Sequence, residues 1–455
     1  MANNTITVDL PKKVASSGGS SFVPSSGGGG QFMKVQLLPG SRPMYGDQAA
    51  KSKSLYNIVH NINKRSSKNW RHTITNDQQG ADSQYAFVVN DGYSIAMMGI
   101  NQYSDKGAGN QGGWDYNGAT VHSPMQWVSI NGDVLRNIMI GNLSKDDIPS
   151  SWSGYDLREH FAEGKTGMQI VGIYMGYTNM FLTANGILWA NGYSGHGQVG
   201  DQSTSNRASL RVVGWSYTNV GSSSNHWERF YWNLQTDKPR KVIQFSSSGE
   251  QSDSALSFHA LCDDGSLWGW GYNGYGQVGV NNSTTSNSFT YGPKKCVRGP
   301  KSGESGVQYV EDAVYVKETN GQYGTCWYID EDGLVWATGR NSYYQMQYAH
   351  GNNQTYFVPC GHNGSGTTNV GKKCIKIAAS ADGDVCHSAY LYDDGTVSTG
   401  GYSGYGQVMT GSTSGTNNHG ALDSHFGPSG SKGLAEDVWC TGGNYGQMYV
   451  RTADG

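Results

Sequence analysis

Charged residues are scarce in this 455-residue chain, where Asp, Glu, Lys and Arg make up 15% of the sequence against roughly 25% in an average soluble domain. The net charge is −3 and the few basic runs are interrupted, which argues against a nucleic-acid groove. No apolar stretch approaches the length of a membrane span, so we expect no membrane insertion. The start, MANNTITVDLPKK, holds no apolar signal core, and we therefore expect a protein made in a cytoplasm and not secreted.

Catalytic signatures are missing as well. The sequence contains no Ser/His/Asp signature, no His-Glu-x-x-His zinc motif and no cofactor fingerprint, so we expect neither enzyme activity nor a cofactor. The acidic pairs Asp263-Asp264 and Asp393-Asp394 recur at the turns of a repeat, whereas a catalytic pair is needed once per molecule. These pairs are therefore interpreted as turn residues.

The seven cysteines are interpreted as free thiols. A metal site is the alternative, but the spacing of the candidate ligands is not that of paired C-x-x-C zinc sites, so we expect no bound metal. The candidate ligands are Cys360, His362, Cys374, Cys386 and His387.

Glycine and tyrosine are abundant instead, with 66 and 29 residues. The stretch GYNGYGQVG at 271–279 recurs as GYSGHGQVG at 192–200 and GYSGYGQVM at 401–409, with a degraded copy, GRNSYYQMQ, at 339–347. Upstream of each stands an acidic residue or Asn followed by Gly and a short apolar strand, which is a hairpin signal. A phosphate-binding loop is disfavoured, because neither a Gly-Lys-Ser/Thr sequence nor a βαβ unit is present.

Two residue types mark the repeat. Glycines at the hairpin turns are assigned to positive-φ positions, and glutamines of the second motif are expected to hydrogen-bond backbone between units. The structural repeat residues are Gly186, Gln198, Gly265, Gln277, Gly333, Gln345, Gly395 and Gln407. Trp189, Trp268 and Trp336 share one repeat position and are expected to pack between units.

Three to four strands per unit, repeated about six times, predict an all-β fold: a β-propeller of about six to seven blades. Long insertions at 112–166 and 203–237 are expected to form loops on one face. The division expected is a flexible Ser/Gly-rich arm at 1–30, an N-terminal segment at 31–83 with a strand at 31–40 that closes the last blade, and the propeller at 84–455.

The sequence ALCDDGSLWGWGYNGYGQVGV at 260–280 resembles the regulator of chromosome condensation repeat, and HSAYLYDDGTVSTGGYSGYGQV, beginning at His387, is a second good copy. The resemblance covers the chain from about Gln84 to Gly455. It implies a propeller of about seven four-stranded blades and, as the best-known activity of the family, nucleotide exchange on a small GTPase. A fold does not by itself imply a function.

Aromatic residues outside the repeat frame mark a candidate binding loop at 215–235, where Tyr and Trp accompany Ser, Gly and Asn. That palette is typical of adaptable binding loops, although part of the segment could cover a blade edge. The candidate ligand or partner residues are Trp215, Tyr217, Trp227, Phe230, Tyr231 and Trp232.

Three functions from different classes remain open. The first is a virion protein of a tailed phage, in the tail or a fibre, which joins other virion proteins through the arm, works in an oligomeric assembly and binds a host surface protein or glycan. This hypothesis rests on composition and places the protein in the phage tail of the virion after synthesis in the host cytoplasm. The second is an intracellular interaction propeller of the GTPase exchange type, and the third is a glycan-binding or inhibitor propeller.

Overall fold

The structure is a computed structural model of the chain. It describes residues 170–174 and 178–453, except for the segments 184–185, 215–229, 234–235, 237, 249–255, 283–288, 320–323, 349–350, 362–371, 383–384, 412, 414–417, 422–424 and 441–445; before residue 170 it describes the backbone of six strands. The predicted arm at 1–30 lies outside the described residues apart from one strand.

The described strands are β1 Thr5–Asp9, β2 Phe32–Gln36, β3 Trp70–Thr75, β4 Tyr85–Val89, β5 Ser94–Gly99, β6 Ser123–Ser129, β7 Ile170–Tyr174, β8 Thr178–Thr183, β9 Leu188–Gly192, β10 Arg207–Val212, β11 Trp232–Asn233, β12 Lys238–Pro239, β13 Val242–Ser247, β14 Ser257–Cys262, β15 Leu267–Tyr272, β16 Phe289–Lys295, β17 Val297–Arg298, β18 Gln308–Tyr309, β19 Ala313–Glu318, β20 Thr325–Asp330, β21 Val335–Gly339, β22 Gln354–Cys360, β23 Cys374–Asp382, β24 Val385–Tyr392, β25 Val397–Gly401, β26 Asn418–Ala421, β27 Ala435–Cys440 and β28 Met448–Thr452.

Most of the strands form blades of four antiparallel neighbours in chain order. Strands β17 and β18 extend the sheet of blade 4 through a parallel pairing of β17 with β22, and β1–β2 and β11–β12 are separate two-stranded sheets. Blade 1 is β3–β6, blade 2 is β7–β10, blade 3 is β13–β16, blade 4 is β19–β22 and blade 5 is β23–β26; β27 and β28 begin blade 6. The prediction of an all-β propeller of about six to seven blades is confirmed. Within the part of the chain that is described, no helix is long and apolar enough to cross a membrane.

The turn glycine of each hairpin joins its blade to the next one. Gly265 has φ +79° and its carbonyl accepts a hydrogen bond of 3.0 Å from the backbone N–H of Ala313, the first residue of blade 4. The same bond recurs at 2.9–3.0 Å between Gly186 and Val242, Gly333 and Cys374, and Gly395 and Ala435. A residue type chosen for positive φ therefore also sets the spacing between blades.

The core lies between blades and contains the repeated tryptophans. Trp189, Trp268 and Trp336 are buried. Each indole N–H has a nearby acceptor; that of Trp336 donates to Asp330 Oδ2 at 3.0 Å and that of Trp268 to Ser266 Oγ at 3.0 Å. Because a buried indole N–H without an acceptor would cost free energy, these bonds make the burial of the rings favourable.

Parts of the predicted insertions are blade strands. Strand β6 of blade 1 lies inside 112–166, and β10 of blade 2 lies inside 203–237. Strand β11, also inside 203–237, pairs with β12 outside the blades. Strand β3, which pairs with β4 in blade 1, lies inside the segment assigned to 31–83. Outer strands such as β6 and β10 carry no turn signal of their own, so the repeat pattern did not reveal them.

The closure of blade 6 stays a prediction. Strand β2 lies within the proposed closing strand at 31–40 and pairs with β1, residue Phe32 facing Asp9, while the rest of 31–40 lies outside the described residues. Deleting residues 31–40 should lower the melting temperature sharply, because blade 6 has two described strands and an unclosed ring exposes apolar edges. Differential scanning calorimetry tests this, and an unchanged melting curve would contradict it.

Candidate functional site

The second motif of each repeat folds into one kind of loop. We call the segments 192–200, 271–279, 339–347 and 401–409 the motif loops. In 271–279 the N–H of Gly276 donates to Asn273 O and that of Gly279 to Gly276 O, and all four loops repeat these two bonds at 2.8–3.1 Å. Where other copies have glycine, Tyr344, Gln347 and Met409 adopt positive φ of 54–62°. The degraded copy therefore keeps the loop geometry.

The repeat glutamines close their own loops. The Oε1 of Gln277 accepts a hydrogen bond of 2.9 Å from the N–H of Tyr275, two residues earlier. Gln198, Gln345 and Gln407 accept the same bond from His196, Tyr343 and Tyr405. The predicted hydrogen bonds from these glutamines to another blade are wrong for Gln198 and Gln277. Among the described residues, the Nε2 atom of each has no hydrogen-bond partner. A two-residue separation lets the carboxamide reach its own loop first.

Bonds between blades instead reach the carbonyls of the motif loops. Trp270 Nε1 donates to Gln198 O at 2.9 Å, Thr338 Oγ1 donates to Gly276 O at 3.0 Å, and Ser388 Oγ donates to Gln345 O at 2.6 Å. Each donor lies one blade further along the chain than its acceptor. These three loops are thus anchored on the following blade, which restrains the side chains that they present.

Three of the loops hold a tyrosine flat against glycine. A Cβ added at Gly274 would collide with the ring and hydroxyl of Tyr272. Gly195 has the same relation to Tyr193, and Gly404 to Tyr402. Because glycine has no Cβ, the tyrosine ring can lie over the loop at each of these positions.

Contacts between aromatic rings, or between an arginine and aromatic rings, link each motif loop to the next. His196 meets Tyr272 edge-on at 5.2 Å between ring centroids, and Tyr343 meets Tyr402 edge-on at 5.5 Å. The Arg340 guanidinium lies 5.7 Å from the Tyr275 ring centroid and 5.8 Å from that of Tyr343. The aromatic belt consists of His196, Tyr272, Tyr275, Arg340, Tyr343, Tyr402 and Tyr405.

The belt offers rigid aromatic area at the surface. Tyr405 is 60% exposed, and the other tyrosines are half-buried. Tyr and Arg supply contact area, hydroxyl hydrogen bonds and cation–π attraction at low entropic cost. The sequence interpretation missed these residues, although Tyr recurs at the second and fifth positions of the motif. That recurrence was the available signal, and it does not separate surface rings from core rings.

The structure places two of the candidate loop residues in the core. Phe230 is 0% and Tyr231 2% exposed, and the Phe230 ring packs edge-on against Trp268 at 5.5 Å. The Tyr231 hydroxyl accepts a hydrogen bond from the Leu188 N–H at 3.1 Å. These two residues therefore cover a blade and do not face a ligand. Trp215, Tyr217 and Trp227 lie outside the described residues, and of Trp232 only the backbone is described.

The cysteines are free thiols, and the acidic turn pairs accept hydrogen bonds within the fold. All seven cysteines are free, and Cys360, Cys374 and Cys386 lie in one apolar cluster between blades 4 and 5. Burial raises the pKa of the Cys386 thiol well above its ordinary value. His362, a candidate ligand, is outside the described residues. Asp264 and Asp394 each accept two hydrogen bonds within their turns.

We compared the chain with known proteins. The chain is a β-propeller. No family model matches the sequence. Solved structures with a similar course include human WBSCR16, at 16% identity and a TM-score of 0.48 over 84% of this chain and 73% of that one.

Two further neighbours are more distant in sequence. A chain in the structure of Kap60 bound to yeast RCC1 (Prp20) matches at 12% identity. Its TM-score is 0.48, over 85% of this chain and 68% of that chain. A fucose-specific lectin from Aleuria aurantia matches at 10% identity and a TM-score of 0.28, over 84% of this chain and 88% of that chain. Because the identities and TM-scores are this low, the ligands and partners of these neighbours are not assigned to this chain. Membership in the repeat family and the phage character therefore stay predictions.

Proposed function

We propose that the chain is a non-enzymatic recognition protein that binds a protein partner through the aromatic belt. The observation that carries this proposal is that side-chain contacts link the belt across four motif loops, and that hydrogen bonds to the following blade anchor three of them, 192–200, 271–279 and 339–347. A preorganised surface loses little conformational entropy on binding, so its contacts convert efficiently into affinity.

The composition of the belt supports a protein ligand. Tyrosine and arginine are enriched in the energetic centres of protein interfaces, and Ser, Gly and Asn around them provide adaptable hydrogen bonding. Arg340 supplies one positive charge between Tyr275 and Tyr343, which favours a partner surface that offers a carboxylate or a carbonyl. The acidic turn pairs accept hydrogen bonds from backbone and side chains of the fold, which favours binding over catalysis.

Two exposed tyrosines provide a matched test. Tyr405 on the belt is 60% exposed, and Tyr309 on β18, outside the belt, is 59% exposed. We expect Tyr405→Ala to weaken partner binding by about tenfold or more, as removal of a central aromatic contact does, and Tyr309→Ala to leave it unchanged. A pull-down with the wild-type protein identifies the partner, and surface plasmon resonance then measures its affinity for both variants. Equal loss in the two variants, or none in either, would count against the belt.

The same variants separate the alternative functions. A small GTPase recovered as partner would be tested for accelerated nucleotide release, which would favour the exchange-factor hypothesis. A glycan array would test the lectin hypothesis, and glycan binding that Tyr405→Ala removes would move the proposal from a protein to a sugar ligand. Glycan binding that survives in Tyr405→Ala would place a sugar site elsewhere on the molecule.

The setting of this recognition in a tailed-phage particle rests on composition: low charge, a Ser/Gly-rich segment and Gly/Tyr-rich repeats. In that setting the partner is a host surface protein or another virion protein, reached with the help of the arm. The neighbouring genes provide a direct test. Tail, portal or capsid genes beside this one would support the particle role, and their absence would count strongly against it.

A further inference from the structure

A buried cluster of three potential metal ligands joins blades 3 and 4. His259 lies on β14 in blade 3, while Glu318 on β19 and Cys326 on β20 are paired residues of blade 4. One ligand atom from each side chain lies within 4.8 Å of the other two. All three residues are buried.

The carboxylate of Glu318 has one satisfied oxygen and one without a partner. Its Oε1 accepts a hydrogen bond from Ser257 Oγ at 2.9 Å and lies 2.8 Å from His259 Nδ1. Its Oε2 is buried and has no hydrogen-bond partner among the described residues. A buried carboxylate oxygen without a donor is costly, and a cation is one way to satisfy it.

The surroundings orient the imidazole as they do in metal sites. His259 Nε2 lies 3.3 Å from the Val278 carbonyl oxygen, which can only accept, so this nitrogen carries hydrogen and Nδ1 faces the cluster. A metal-bound histidine usually donates its other N–H to a carbonyl or carboxylate in this way. Ser257 orients the carboxylate in the same manner.

We propose that His259, Glu318 and Cys326 bind one divalent cation of the zinc class, which links blade 3 to blade 4. A nitrogen, an oxygen and a sulfur donor together suit zinc, whereas calcium and magnesium prefer oxygen alone. A water molecule would be the fourth ligand of a tetrahedral ion. Tetrahedral zinc bonds of about 2.0–2.3 Å bring donors to about 3.3–3.8 Å from one another, which requires side-chain shifts of about 1 Å.

The charges balance in this site. The carboxylate and the thiolate carry two negative charges, and the divalent cation cancels both. On binding, the metal displaces the thiol proton of Cys326 and the proton held between Nδ1 and Oε1. The buried space is thus neutral with and without metal, which low-dielectric surroundings demand.

Cobalt(II) added to metal-free, reduced protein tests the proposal. We expect saturable binding of one Co²⁺ per chain, with the visible bands of a tetrahedral site and a sulfur-to-cobalt charge-transfer band. Cys326→Ala should lose the charge-transfer band and bind Co²⁺ at least tenfold more weakly. Cys360→Ala is the matched control, since Cys360 is equally buried but belongs to the cluster between blades 4 and 5; its spectrum should equal that of the wild type.

Two results would overturn the proposal: no saturable Co²⁺ binding by the wild type, or an unchanged charge-transfer band in Cys326→Ala. If far-UV circular dichroism shows that Cys326→Ala does not fold, X-ray absorption on the zinc-loaded wild type decides. One sulfur with nitrogen and oxygen neighbours is expected, and a shell without sulfur would contradict the site.

Discussion

Gly276→Ala should be strongly destabilising, with a loss of about 2–5 kcal/mol in the free energy of unfolding. The residue has φ +81°, which costs an alanine about 1–2 kcal/mol. An added Cβ would also collide with the carbonyl oxygen of Gln354 and lie 2.7 Å from Thr355 Cα, both on the outer strand of blade 4. Backbone cannot rotate away as a side chain can, so blades 3 and 4 would have to separate.

A second glycine isolates the collision from the backbone strain. Gly303 has φ +88° in the turn between β17 and β18, and nothing lies within 4 Å of an added Cβ. Gly303→Ala should therefore cost only the strain, about 1–2 kcal/mol. Urea denaturation of both variants gives the comparison. Equal losses would show that the approach of blade 4 to Gly276 does not constrain the loop.

The stability of the protein should fall in acid because of His387. This side chain is 4% exposed, its Nε2 has no partner among the described residues, and burial lowers its pKa to about 4. The unfolded chain takes up the proton near pH 6.5, before the folded chain does. The contribution of His387 is therefore complete above about pH 6.5 and is lost as the pH falls toward 4, by about 3 kcal/mol in total.

The difference between variants isolates this histidine from the carboxyl groups. We expect His387→Gln to lower the free energy of unfolding at pH 7. Between about pH 6.5 and 4 the variant should lose less stability than the wild type, because glutamine takes up no proton and the contribution of His387 is absent. His425→Gln, at an exposed histidine, is the control for the loss of one imidazole. Chemical denaturation at a series of pH values measures the slopes. A wild-type slope in His387→Gln would mean that the His387 imidazole is not buried in its neutral form.

Much of the architecture could be predicted from the sequence because it is encoded locally. An acidic residue or Asn before Gly specifies a tight hairpin, and recurrence of that signal at Gly186, Gly265, Gly333 and Gly395 indicates repeated blades. The degraded copy at 339–347 was also recognisable as a motif loop. Outer strands such as β10 were not, since they have no turn signal and their pairing depends on distant residues.

The sites depended on contacts that sequence distance conceals. Phe230 and Tyr231 belong to an aromatic segment typical of a binding loop, yet the neighbouring Trp268 and Leu188 bury them. The belt joins Tyr343 to Tyr402, and the proposed metal cluster joins His259 to Glu318, across neighbouring blades. The sequence by itself determined the blades, because turn chemistry acts between adjacent residues. Only the tertiary structure decided which aromatic and polar side chains meet, because that depends on how one blade packs against the next.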